Sequence, residues 1–105
     1  MAVVITIFEV KGREVEIREN IRKYSRSEHD VFEGADGLIT LKEKLSGKEM
    51  MIFVADFVIW AEKATYFIST LLRVKNIGFS RTSKTFSDWE EVRSSFKAEC
   101  QKQKT

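Results

Sequence analysis

The sequence predicts an α+β domain, an antiparallel sheet packed against one or two α-helices. Three observations carry this. The chain has 105 residues, 43% of them hydrophobic and 32% charged, which suits one globular domain and excludes a disordered chain. Its N-terminal segments are rich in Val, Ile and Phe and alternate with polar residues, the period of a half-buried strand. Its C-terminal segment instead spaces apolar residues at the period of a helix.

Taken in order, residues 3–10 read as a strand bounded by Lys11-Gly12-Arg13. Residues 14–19 place Val15 and Ile17 on one side of an alternating run, so the two segments form an N-terminal β-hairpin across the glycine. Residues 20–37 are polar, with turns at Gly34 and Gly37, and 38–41 is a short strand. Ser46-Gly-Lys-Glu49 has the spacing of a capping box, in which a Ser hydroxyl and a Glu carboxylate satisfy the free N–H groups of a helix start. It predicts a helix over 47–62, with Phe53, Phe57, Trp60 and Ala61 on the apolar face. The competing reading is a strand, from Ile52, Val54, Val58 and Ile59. Residues 65–74 fit either a helix continuing from Asp56 to Lys75 or a strand. Residues 76–86 read as a polar loop through Gly78. Ser87-Asp-Trp-Glu90 is a second capping box and opens a helix over 88–101. Its buried stripe is Trp89, Val92, Phe96 and Cys100, and its Gln-Lys-Gln-Lys-Thr end frays.

The single cysteine excludes an internal disulfide framework and fits a reducing compartment. The apolar N-terminus lacks a basic flank, and the most apolar run, 50–61, is short and interrupted by Asp56. No signal peptide or transmembrane span is predicted, no membrane partner is expected, and the location is cytosolic or nuclear. No nucleophile-base set, phosphate-binding glycine loop or metal-ligand spacing is present, so the prediction is a non-enzymatic protein without cofactor or metal. Glu28-His29-Asp30 contains the only histidine, but three consecutive side chains rarely converge on one ion.

The net charge of +2 conceals an uneven layout. Six basic residues (Lys11, Arg13, Arg18, Arg22, Lys23, Arg26) lie between 11 and 26 with three acids, and four (Arg73, Lys75, Arg81, Lys84) lie between 73 and 84 with none. Between 27 and 62 there are eight acids and three bases. The basic stretches also carry Tyr24 and Phe79. Cations that neutralise phosphates beside aromatic faces that stack on bases make a surface for single-stranded nucleic acid. The hydroxyls of Ser25, Ser80, Thr82, Ser83 and Thr85 can donate to phosphates or cap turns.

The two stretches also resemble each other at an offset of 55. Arg18, Tyr24, Ser25, Arg26 and Ser27 meet Arg73, Phe79, Ser80, Arg81 and Thr82, which suggests a weak internal repeat dividing the chain into 1–63 and 64–105. The arrangement resembles the PUR-domain family and, more distantly, the Whirly-like single-stranded nucleic-acid binders. The resemblance rests on Lys11-Gly12-Arg13 before a basic strand, on residues 38–41 leading toward a helix, and on Thr85-Phe-Ser-Asp-Trp89 at the entry to a second helix. It implies β-β-β-β-α repeats and dimerisation. The candidate nucleic-acid site, read from the two basic-aromatic stretches themselves, is Arg13, Arg18, Arg22, Lys23, Tyr24, Arg26, Arg73, Lys75, Phe79, Arg81 and Lys84.

Phe53, Phe57, Trp60, Phe67, Trp89 and Phe96 are expected in the core, with any excess forming a homodimer interface. The alternative to nucleic-acid binding is a protein-binding module or inhibitor, of the phage accessory kind, acting through aromatic residues and the acidic Glu28, Asp30, Glu33 and Asp36. A small ribonuclease would rest on the basic residues and His29 alone.

Overall fold

A computed structural model of the chain describes residues 2–103. Residues 3–9 alternate as expected and form β1 (Val3–Glu9). The chain then turns through Gly12 and Arg13, both left-handed at φ 70, directly into α1 (Glu14–Ser25). The hairpin predicted over 14–19 is therefore corrected to a helix. Glu, Arg and Lys favour helix over strand, and the spacing that matters is Ile17 to Ile21, four residues apart and both fully buried. Short polar connections lead to β2 (His29–Glu33) and β3 (Leu38–Glu43). β2 falls inside the stretch read as polar turns.

The helix predicted over 47–62 is instead two strands, β4 (Glu49–Val54) and β5 (Val58–Glu62), as the competing reading held. Ala55 donates its N–H to the Val58 carbonyl to close the turn between them. These are interior strands with a helix layer on each face, so both sides of the pleat are apolar and the alternation that marks a strand disappears. The capping-box serine acts in the β3–β4 turn, where Ser46 Oγ accepts from the Lys48 N–H at 3.2 Å. Next comes α2 (Thr65–Val74), shorter than the run from Asp56 to Lys75. The predicted loop over 76–86 contains β6 (Ser80–Phe86).

α3 (Trp89–Gln103) matches the expected C-terminal helix, with Val92 and Phe96 buried and Trp89 and Cys100 half-buried. Its capping frame is one residue later than read. Asp88 Oδ1 accepts from the Glu91 N–H at 2.8 Å, and Glu91 reaches back to the Ser87 N–H and hydroxyl. The end expected to fray, residues 101–105, is helical through Gln103, and its last two residues lie outside the described residues.

The six strands form one antiparallel sheet in the order β2-β3-β4-β5-β1-β6. This confirms the α+β class. The order of elements, β-α-β-β-β-β-α-β-α, differs from four strands followed by a helix. Side chains alternate between faces, so the sheet has two cores. On one face Phe8, Ile39, Ile52 and Ile59 pack against Ile17 and Ile21 of α1 and Ile68 and Leu72 of α2. On the other, Ile5, Phe53, Trp60 and Phe86 pack against Val92 and Phe96 of α3, with the Trp60 and Phe96 rings 5.3 Å apart. Of the aromatics expected inside, Phe57 is the exception at 48% exposure, because it lies in the turn before β5.

Candidate nucleic-acid interface

The basic residues of α1 separate into two kinds. Arg18 donates to the Val54 carbonyl at 2.8 Å and the Gly37 carbonyl at 3.1 Å, with Glu14 at 3.5 Å. Gly37 itself has φ +83, a left-handed backbone that favours glycine, and a Cβ there would press on the Arg18 guanidinium at 3.0 Å. Arg22 forms a two-pronged pair with Glu33 of β2, at 2.7 and 2.8 Å. The hydrogen bond to Arg22 is the main reason the Glu33 carboxyl lies below its usual range, and the same bond raises Arg22. Arg13 is paired with Glu16 at 2.8 Å. Arg26 gives its carbonyl to Lys44 and lines a hollow with Arg22, Asp30 and Glu33 at the acidic edge. These four are tied to the fold or set among carboxylates. Ser25 is likewise internal, its hydroxyl donating to the Ile21 carbonyl.

Other cations meet aromatic rings instead. Lys23 and Lys75 both stand over the Tyr24 ring, at 6.0 and 5.6 Å from its centroid. Arg73 stands 6.0 Å over the Phe79 ring, which makes an edge contact with Phe8 at 5.5 Å. Arg81 sits directly opposite Phe8 across the β1–β6 pair and two residues from Phe79, so its side chain leaves from this same face. A hollow of about 370 Å³ opens beside Phe79, lined also by Lys11, Arg13, Ser80 and Glu9. None of Lys11, Lys23, Arg73, Lys75 or Arg81 is ion-paired with a carboxylate among the described residues.

Lys84 departs from the predicted set. It lies opposite Ile5, on the α3 face, 5.2 Å from the Phe86 ring, and lines a hollow with Thr82, Glu9 and Glu99. Strand alternation thus divides Arg81 from Lys84, which composition alone grouped together.

The two segments aligned by sequence adopt different structures: residues 18–25 are helix, whereas 73–82 run from the end of α2 through a loop into β6. β6 is an edge strand, paired on one side by β1, and Ser80 to Thr85 are all exposed. The opposite edge, β2, carries Asp30 and Glu33 and exposes Phe32 at 55%. Sequence reasoning missed Tyr66, 84% exposed on α2; its α2 position became legible only once that helix was separated from β5.

His29 opens β2, where strand alternation directs Asp30 to the opposite face, and Glu28 lies in the preceding turn. Among the described residues no group of three or more His, Cys, Asp or Glu side chains is gathered to hold a metal ion, and no helix is long and apolar enough to cross a membrane. Comparison with protein-family models, curated proteins and solved structures finds no match to the chain.

Proposed function

We propose that the protein binds single-stranded nucleic acid through a reduced basic-aromatic surface built from the ends of α1 and α2 and from β6. The observation that carries this reading is the pairing of Lys75 with Tyr24 and Lys23, residues about fifty positions apart in sequence that the fold brings to one ring. Arg73 over Phe79 repeats the arrangement nearby in sequence. Unpaired cations beside rings supply the two terms single strands need, phosphate neutralisation and base stacking. Arg18 and Arg22 are excluded from the surface because their donors are already used.

Fluorescence anisotropy with a labelled single-stranded oligonucleotide at several salt concentrations tests this. Salt-sensitive binding at micromolar protein is expected, weakened by Arg73→Gln, Lys75→Gln and Arg81→Gln together. Lys84→Gln, on the opposite face, should have the smaller effect. Absence of salt-sensitive binding would remove the reading. The acidic β2 edge, with Asp30, Glu33 and exposed Phe32, supports the second reading, a protein-binding module. Loss of a partner on changing Asp30 and Glu33, with no effect of the α2–β6 cations, would favour it.

A further inference from the structure

The sheet ends in two open edges that carry opposite charge. β6 pairs with β1 in unbroken register from Ser80 to Phe86, and no strand lies on its other side. Residues 80–85 are exposed, and the strand has no proline or glycine to stop a neighbour from pairing with it. At the far edge β2 pairs only with β3. Each edge carries two like charges three residues apart, Arg81 and Lys84 on β6 and Asp30 and Glu33 on β2. An odd spacing puts the two charges of each edge on opposite faces. Arg81 and Glu33 share the α1–α2 face, opposite Phe8 and Ile39. Lys84 and Asp30 share the α3 face. Lys84 is opposite Ile5 of that core, and Asp30 is one step from Val31, whose partner Leu41 belongs to the other core.

We propose that the chain self-associates head to tail, β6 of one copy pairing with β2 of the next. All neighbouring strands are antiparallel, so the first and sixth run in opposite directions. A second copy translated past β6, its helices on the same sides, therefore presents β2 antiparallel to β6. In one register its Glu33 falls opposite Arg81 and its Asp30 opposite Lys84, each pair on one face. A carboxylate accepts more than two hydrogen bonds, so Glu33 can meet Arg81 and keep Arg22. Backbone bonds between the edges supply affinity, and the charge pairs fix partner and register. Like charges set each edge against a copy of itself: a β6–β6 pair gathers four cations, and a β2–β2 pair four carboxylates. Two different edges meet at each contact, so assembly does not close at two copies but continues to a ring or filament.

Arg81 belongs to both proposed surfaces, so the test varies Lys84 and Asp30, which are not ion-paired with another side chain among the described residues. It uses the protein alone, so its outcome is separate from that of oligonucleotide binding. Sedimentation of the full chain from micromolar to millimolar concentration, at low and moderate salt, reads the mean mass. The mass is expected to climb past two chains and to fall as salt screens the charge pairs. Lys84→Glu and Asp30→Lys each set like charges opposite one another at the contact, and each should weaken association at least about threefold. An equimolar mixture of the two variants restores opposite charges wherever one meets the other, and should recover wild-type association. Mixing cannot rescue a variant that has simply misfolded, and circular dichroism checks the fold of each. A wild type that stays monomeric across this range, a mass that levels at two chains, or a mixture no more associated than its parts would overturn the proposal. So would self-association indifferent to both substitutions, which would place the contact elsewhere on the molecule.

Discussion

Residues 18–27 and 73–82 are alike in sequence and opposite in employment. The first segment spends its arginines on the fold: Arg18 ties α1 to the carbonyls of Val54 and Gly37, and Arg22 ties it to Glu33. The second leaves its cations free, Arg73 over an aromatic ring and Arg81 on an exposed edge strand. The difference comes from what each segment folds against. α1 lies beside β2 and β4, which present carbonyls and a carboxylate within reach of its arginines. In the second segment β6 runs along the open side of β1, and neither Arg73 nor Arg81 is ion-paired with a carboxylate among the described residues. A guanidinium with buried carbonyls to bind is a structural element, and the same group without partners is available to a ligand.

The sharpest way to break this comparison is to truncate one residue on each side. Arg18→Ala should destabilise the protein by about 2–3 kcal/mol, because a charged group loses two hydrogen bonds and leaves carbonyls unpaired. Chemical denaturation measures it. A loss below about 0.5 kcal/mol would show that Arg18 is as dispensable as a surface cation. Arg22→Ala should cost less, up to about 1 kcal/mol, since its pair with Glu33 is partly exposed.

The carboxylates sharpen the contrast through pH. Glu33 is held below its usual range by the Arg22 hydrogen bond, so the pair's stabilisation is present above the unfolded carboxylate range and lost as pH falls through the depressed value. Glu33→Gln should therefore flatten the acid limb of a stability–pH curve. An unchanged limb would mean the pair contributes nothing. Glu62 has the opposite sign. Burial raises its carboxyl, so stability is greatest with it protonated and declines as pH rises through the raised value. Glu62→Gln should stabilise the protein at neutral pH, by under about 1 kcal/mol, and steepen the acid limb, because that gain disappears as pH falls to the unfolded carboxylate range. The smallest effect belongs to the second segment: Arg73→Gln and Arg81→Gln should each change stability by no more than about 0.5 kcal/mol.

The legibility of the molecule follows the same physics. α3 was readable because one helix face is buried and its cap is local, Asp88 with Glu91. β1 was readable from alternation. β4 and β5 lost that alternation by being buried on both faces, and β6 was concealed for the reverse reason, as an exposed polar edge whose partner strand begins more than seventy residues earlier. α1 passed for a strand because Val15 and Ile17 alternate, although Val15 is exposed at 69% and the buried partner of Ile17 is Ile21. Of the candidate site, residue types were legible and their employment was not. Nothing near Arg18 in sequence announces Val54, and Lys75 meets Tyr24 only through the packing of two helices.

The central claim is that the cations of the second segment, which meet Lys23 at the Tyr24 ring, bind, while Arg18 and Arg22 of the first segment support the fold. Its most direct test is the salt dependence of oligonucleotide binding for the wild type and for Arg73→Gln/Lys75→Gln/Arg81→Gln. Single strands release counterions with a slope of roughly 0.7 per neutralised phosphate, so the triple variant should lose up to about 2 from the slope of log affinity against log salt while keeping wild-type stability. A slope unchanged by the three substitutions would contradict the account.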